Sequence, residues 1–278
     1  MGKKLQEWFS EAVFPAEGQN LASDGVVRVR KGEARSLKSG GAWIYDNEVE
    51  AVFRERQQNE PAGQDMQPQK TLDGEIVSVL DFDGYFLGYG FYNSASRIRV
   101  RMLTRYQKDP VTIRLFREKV QKAWDLRKAV VETDSCRLIF GEADFLPGLT
   151  VDKFGSVLVV ESLCLGMDRW KLLVLKLLIE TLMKDGIEIT GIYERSDARA
   201  RELEGMPRIK GFIGPEFPVR VPIVENGVHY LVDVQDGQKT GFFLDQKRNR
   251  SLIGDLVRRL SRGGDVKVLD CFTHTGSF

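Results

Sequence analysis

Val268-Leu-Asp-Cys-Phe-Thr-His-Thr-Gly-Ser-Phe278 closes the chain, and its reading decides the fold class. Val266 to Leu269 has the apolar composition of a strand; Asp270 ends it and a turn containing Gly276 follows. In a doubly wound α/β domain such a turn opens a helix, and a nucleotide cofactor sits at the carboxyl end of the strand. The turn is not a full G-x-G-x-x-G, so an ordinary strand-to-helix turn stays open as the alternative. The helix and later strands of such a domain do not follow in the sequence. The final segment is therefore expected to be disordered, abnormally packed or paired with a second copy, because a central parallel strand needs cover on both faces and both edges.

Upstream, Asp245 to Leu260 reads as a helix with apolar positions at Leu252, Ile253, Leu256, Val257 and Leu260, stopped by Gly263-Gly264. Before it stands Gln238-Lys-Thr-Gly-Phe-Phe-Leu-Asp-Gln246. Gly241 allows close backbone approach, Phe242 or Phe243 can stack on a base, and Asp245 marks a helix start, where backbone N–H groups favour an anion. Lys239, Arg248 and Asn249 add donors. That mixture suits an amino-acid nucleoside such as S-adenosylmethionine. A loop with an Asp N-cap and two core phenylalanines is the competing reading.

Val219 to Val224 and Val228 to Val234 flank Glu225-Asn226-Gly227, a hairpin signal. Residues 107–217 read as a mixed α/β unit. A helix runs from Pro110 to about Val131, and strands are expected at Cys136 to Phe140, Leu149 to Asp152 and Val157 to Leu163. Asp168 caps a Leu-rich helix ending at Gly186; a strand follows at Gly191 to Glu194, then a short helix from Ser196 to Leu203. Residues 26–106 carry short strands at close spacing: Val26 to Arg30, Trp43 to Tyr45, a hairpin of Glu75 to Leu80 and Tyr85 to Phe91 about Asp83-Gly84, and Arg97 to Leu103. They imply a small β-barrel or sandwich. Residues 1–25 read as an amphipathic or irregular leader, and residues 55–70 as a Gln-, Glu- and Pro-rich loop.

Composition excludes several classes. The 41 lysines and arginines nearly cancel 40 acids, so net charge does not name a partner. Between Ala95 and Lys128, however, eleven basic residues face three acids, a local positive field. Arg97, Arg99 and Arg101 alternate with apolar residues, so a strand would place all three on one face, roughly 6 to 7 Å apart. Three such contacts to single-stranded RNA would contribute about −2 to the log–log salt slope; a solvated edge face is the alternative. Lys31, Arg35 and Lys38 lie near Trp43 and Tyr45, a basic and aromatic mixture that suits unstacked RNA, although Trp43 is expected in the barrel core. Three dispersed cysteines and two histidines argue against disulfides and a metal site and for a reducing compartment. Cys136 and Cys164 are expected to be structural, and Cys271 to be a small buried residue at a strand end. The Leu172 to Met183 run is short for a membrane span and carries Lys176 and Glu180, so a soluble cytoplasmic protein is expected.

Four blocks carry a resemblance: Val29 to Leu37 with Trp43; Gly88 to Arg101; Arg137 to Gly155 with Tyr193 to Asp197; and Gly237 to Arg250 with Asp270 to Phe278. Together they resemble the bacterial S-adenosylmethionine-dependent methyltransferases that make 5-methylcytosine in large-subunit ribosomal RNA. The resemblance implies a PUA-like RNA-binding domain at 26–106, a central α/β domain at 107–217, and the opening of a Rossmann-like catalytic domain at 218–278. It implies that Lys239, Thr240, Gly241, Phe242, Asp245, Arg248, Asn249, Asp270, Phe272 and Gly276 border the cofactor. It also implies that the family's catalytic Cys, acidic ribose-binding strand and Asp-Pro-Pro-type loop are not among these residues, leaving no catalytic residue here. The expected partner is ribosomal RNA, with a homodimer as a further expectation. Two alternatives stay open: a non-catalytic RNA-binding protein, and a methyltransferase for another RNA base or a protein.

Overall fold

The computed structural model describes residues 2–54, 71–105, 110–261, 264–271 and 276–277. The 55–70 stretch lies outside them.

Of the amphipathic and irregular readings of the N-terminal residues, the structure takes the amphipathic one over residues 2–11. Helix α1 (Gly2–Glu11) buries Leu5 and Phe9 in the largest core of the molecule. Leu5 and Phe9 are four apart and so share one helix face, which explains why the segment docks instead of trailing in solvent.

The first sheet is built from β1 (Ala22–Val29), β2 (Trp43–Tyr45), β3 (Val49–Arg54), β4 (Ile76–Leu80), β5 (Phe86–Tyr92) and β6 (Ile98–Thr104), in the order β2-β6-β5-β4-β1-β3. All pairs are antiparallel except β1 with β4. Val27 lies opposite Val52 on one side and Val79 on the other. The sheet curls over Val27, Ile44, Val77, Val100 and Met102, and the short helix α2 (Ala34–Lys38) adds Leu37 to that core. The expected barrel is not a closed ladder among the described residues, because β2 and β3 end the strand order without pairing.

The second sheet has the order β11-β10-β9-β8-β7. Helix α3 (Ile113–Val130) precedes β7 (Ser135–Phe140), β8 (Leu149–Phe154) and β9 (Val157–Ser162), which form an antiparallel meander. Helix α4 (Leu165–Lys184) then crosses over to β10 (Gly191–Ser196), parallel to β9. The one-turn helix α5 (Ala200–Leu203) and β11 (Ile209–Phe212) complete the unit. Strand β11 lacks a sequence signal because three of its four residues, Ile209-Lys-Gly-Phe212, are not β-branched and Gly211 interrupts it. Ser196, expected to open a helix, instead ends β10. Asp168 does not cap α4. The helix begins three residues earlier, and the Asp168 carboxylate accepts from Arg201 at 2.9 Å and Lys171 at 3.1 Å.

Helices α3 and α4 cover one face of this sheet, joining Phe116, Val120, Trp124, Val174 and Leu178 to Leu138, Val151 and Val160. The same core takes in Ile76, Phe91 and Leu103 of the first sheet. The hinge of this junction is a missing side chain: a Cβ at Gly166 would lie 2.3 Å from the Phe91 ring. The two sheets thus share apolar cover instead of meeting through a polar linker.

The hairpin of β12 (Arg220–Glu225) and β13 (Val228–Asp233) covers part of the opposite face. Val221, Ile223 and Val232 pack on Phe154, Val159 and Tyr193. Asn226 and Gly227 turn it with φ of 50° and 78°, the left-handed pair that a two-residue hairpin loop requires. Helix α6 (Lys247–Leu260) follows a 3-10 turn at Leu244–Gln246. Its apolar positions Leu252, Ile253, Leu256 and Leu260 are all exposed. Residues 265–270 form no strand, contrary to the reading of Val266 to Leu269, and Val268 and Leu269 are exposed. A strand is stable only when neighbouring strands satisfy its backbone groups, and no described strand pairs with these residues. No described helix is long and apolar enough to cross a membrane.

Candidate functional site

The 237–250 segment is anchored from below and exposed above. Thr240 is buried and donates through Oγ1 to Asp152 Oδ2 at 2.6 Å. The same buried carboxylate takes two bonds from Arg137, at 2.8 and 3.0 Å, and these keep the guanidinium firmly charged. Gly241, with φ of 134°, presses against the hairpin; an added Cβ would lie 2.7 Å from Val232. Phe242 is enclosed between Tyr230, 5.1 Å between centroids, and the Arg250 guanidinium, 4.4 Å from its ring centre. These three residues were expected to border a cofactor directly. The structure turns them inward, because the loop uses the Phe242 ring and the bare backbone of Gly241 to seat itself on the hairpin.

Lys239, Asp245, Arg248 and Asn249 face outward. Lys239 holds a φ of 59°, which lifts its side chain off the loop. Asp245 lies within the 3-10 turn; the cap position of α6 belongs to Gln246, whose side chain accepts from Asn249 at 2.7 Å. Asp270 and Gly276 are exposed, and Phe272 lies outside the described residues. Tyr230 links the two segments: its ring packs on Phe242 while its hydroxyl donates to Ser277 O at 3.3 Å. Cys271 is exposed, not a buried strand-end residue, because that strand is absent. Cys136 and Cys164 are buried as expected, and burial pushes both thiols up to about 11.

Sequence reading missed the ion pair beneath this loop. Glu225 is 1% exposed and receives Arg250 at 2.6 and 3.1 Å. The signal was present: β12 alternates exposed and buried, so Glu225 falls on the inward face, and an inward carboxylate demands a cationic partner. Glu161 on β9 is a second such group. Burial raises its pKa against the pull of Arg137.

On the first sheet the predicted basic residues separate. Lys31 and Arg35 are exposed, with Lys31 Nζ 5.8 Å from the centre of the Phe82 ring. Lys38 reaches the buried Asp81 carboxylate at 2.8 Å, and that bond raises its pKa. Arg97 is exposed and makes no ion pair among the described residues. Arg99 folds back onto the carbonyls of Ser94 and Ser96. Arg101 is neutralised across the junction by Glu142 at 3.1 Å and Glu204 at 3.0 Å. The three guanidiniums do not form a uniform row: Arg97 precedes β6, Arg99 and Arg101 alternate along it, and the second sheet supplies carboxylates to the last position. Trp43 is not core. It is 38% exposed on the end strand β2, donates Nε1–H to Glu142 at 2.8 Å, and carries Arg101 over one ring face at 5.5 Å.

These features, a curled sheet of short strands with outward basic residues and an aromatic at its edge, match a known domain. Residues 27–105 fit the family model of a PUA-like domain. The PUA-like domain thus comprises the first sheet almost entirely, from β1 to β6. Across the chain, ribosomal RNA large subunit methyltransferase I of Shewanella amazonensis is 33% identical over 256 residues, covering 91% of this chain and 58% of that protein. The enzyme of the same name from Serratia proteamaculans is 33% identical over 252 residues, covering 89% and 57%. The chain therefore spans a little over half the length of the curated relatives it matches. A candidate SAM-dependent methyltransferase from Streptococcus mutans superposes with a TM-score of 0.61 at 21% identity, over 82% of this chain and 53% of that one. A candidate methyltransferase solved in complex with SAH gives 0.61 at 20% identity, over 81% and 52%. These two establish a shared fold.

Proposed function

We propose that this chain is the RNA-directing and cofactor-loop portion of an S-adenosylmethionine-dependent methyltransferase of large-subunit ribosomal RNA. The methylated position is carbon 5 of a cytosine. The observation that carries the reading is the placement of the exposed Lys239, Asp245, Arg248 and Asn249 on a loop that Thr240, Gly241 and Phe242 fix from beneath, in a chain whose residues 27–105 fit a PUA-like domain. The 33% identity to enzymes bearing that name supports it.

The outward groups fit an amino-acid nucleoside. Lys239, Arg248 and Asn249 would offer donors to the carboxylate and ribose, and Asp245 an acceptor to the ammonium. When bound, the cofactor supplies an electrophilic methyl group on a sulfonium. The chain's own part is rigid presentation: the Arg137–Asp152–Thr240 bonds and the Arg250–Glu225 pair hold the loop without ligand, so little ordering remains to oppose binding. Neither Cys136 nor Cys164 suits the thiolate that attacks carbon 6 of the pyrimidine, since each is buried with its thiol pushed up to about 11. The target base must leave its stack to be reached.

Calorimetric titration of S-adenosylhomocysteine into the chain tests the cofactor reading. Saturable one-to-one binding, lost in Asp245→Ala, is expected. Absence of binding to the native chain would remove the loop as a preformed half-site.

A further inference from the structure

Where the PUA-like domain meets the second sheet, a cleft of about 600 Å³ opens between β2 and β6 on one side and β7, β8 and α5 on the other. The size lies in the range of small-ligand sites. Its walls are mainly apolar, yet two of its residues are aromatics left in solvent: Trp43, and Phe140 at 54% exposure. Each ring already carries a guanidinium on one face, Arg101 over Trp43 at 5.5 Å and Arg137 over Phe140 at 5.1 Å. Trp43 also meets the Tyr45 ring edge-on at 6.3 Å, and its 38% exposure together with the 54% of Phe140 leaves aromatic surface in solvent for another planar group.

The charges on the cleft are ordered. Glu142 and Glu204 are engaged by Arg101, and Glu142 also by the Trp43 indole N–H. Glu204 additionally accepts from Asn93 and from Ser96 at 2.5 Å. The acids are thereby committed to the walls, while Arg97 at the rim makes no ion pair among the described residues. Arg101 Nε is buried without a hydrogen-bond partner in the protein. The groups left over are thus aromatic surface and the Arg97 guanidinium, a pairing that matches a flat base carrying an anionic phosphate.

The cleft also has a direction. Phe140 on β7 lies opposite Thr150 on β8, which lies opposite Glu161 on β9. Thr150 lines the cleft, and Asp152, two residues along the same strand, holds Thr240 of the candidate cofactor loop. Two residues along a strand is roughly 6 to 7 Å.

We propose that this interdomain cleft is a subsite for one unstacked nucleotide of single-stranded RNA, its base stacked on Trp43 or Phe140 and its phosphate on Arg97. The subsite rests on the RNA reading above and adds its location: not the outer face of the PUA-like domain, but its junction with the second sheet, beside the 237–246 loop. A nucleotide seated there fixes the register of the strand that continues toward that loop.

Fluorescence anisotropy of the 278-residue chain with a labelled short oligouridine tests it, together with photocrosslinking of the same oligonucleotide carrying 5-iodouridine. Trp43→Ala and Phe140→Ala are each expected to weaken binding by roughly five- to a hundredfold with the salt slope unchanged, as loss of a stacking face requires. Trp43→Phe, which keeps a ring, is expected to recover most of that loss. Arg97→Gln is expected to flatten the salt slope by about 0.7. Crosslinks on the unsubstituted chain are expected at Trp43 or Phe140, a readout that does not depend on variant folding. Native-like binding by both alanine variants, with crosslinks elsewhere and weakening only in Lys31→Glu, would overturn the subsite and leave RNA binding intact on the outer face. Absence of oligouridine binding by the native chain would overturn both.

Discussion

Lys119 shows what one residue contributes against the rest of the fold. It lies on α3 with its ammonium 5.0 Å from the Phe145 ring centre, and burial depresses its pKa to about 8, with Lys122 adding repulsion. The ring contact does not offset the lost hydration. Below about pH 8 both folded and unfolded chains hold this proton, and the desolvation cost is present in full. Between about 8 and the ordinary lysine value of 10.5, the unfolded chain holds more protons than the folded one, so stability rises with pH. Lys119→Met is therefore expected to raise the melting temperature at pH 7, with the gain shrinking as pH climbs through that window. Denaturation of both proteins across pH 7 to 10 checks this; a gain independent of pH would show that packing, not charge, is responsible. The Arg250–Glu225 pair is the contrasting case. Both side chains are almost wholly buried and each satisfies the other with two bonds, so removing either alone would strand a charge, at a cost of roughly 3–5 kcal/mol.

Among the elements, α4 is the one on which both sheets depend. It carries Met167, Val174, Leu175 and Leu178 into the main core and meets β5 at Gly166. Gly166→Ala places a Cβ 2.3 Å from the Phe91 ring, so ring or helix must move. The expected loss is about 1–3 kcal/mol, measured by urea denaturation, and Phe91→Leu in the same chain should restore part of it. Equal stability of Gly166→Ala and the native chain would mean that the junction is looser than this contact implies. The long elements were readable because their patterns are long. The Leu-rich run gave α4, and the alternation of β12 with Asn226-Gly227 gave the hairpin. The sequence of α1 supports both an amphipathic and an irregular reading because ten residues with two core anchors make a short pattern, and β11 is not recognisable in the sequence because pairing with β10 rather than propensity makes it a strand.

At the scale of the molecule, the first two sheets are joined by one apolar core running from Leu5 and Phe91 to Val160 and Leu182. A shared core couples unfolding, so the PUA-like domain and the second sheet are expected to melt in a single transition with coincident fluorescence and circular dichroism curves. A separate earlier transition for the PUA-like domain would show that its own core, about Val27, Val77 and Val100, is sufficient alone. The sequence by itself determined the run of short strands before the long helices, the two long helices and the Asn226-Gly227 hairpin, because each of these is written in local composition and spacing. Only the tertiary structure decided which side chains remain available. Thr240 and Phe242 turn inward, Arg101 is claimed by Glu142 and Glu204, and Trp43 is left open at an edge. The reason is physical: spacing along one chain fixes which face a residue shares with its neighbours. Whether that face meets solvent, an apolar core or an opposite charge depends on residues far away in sequence, brought there by packing.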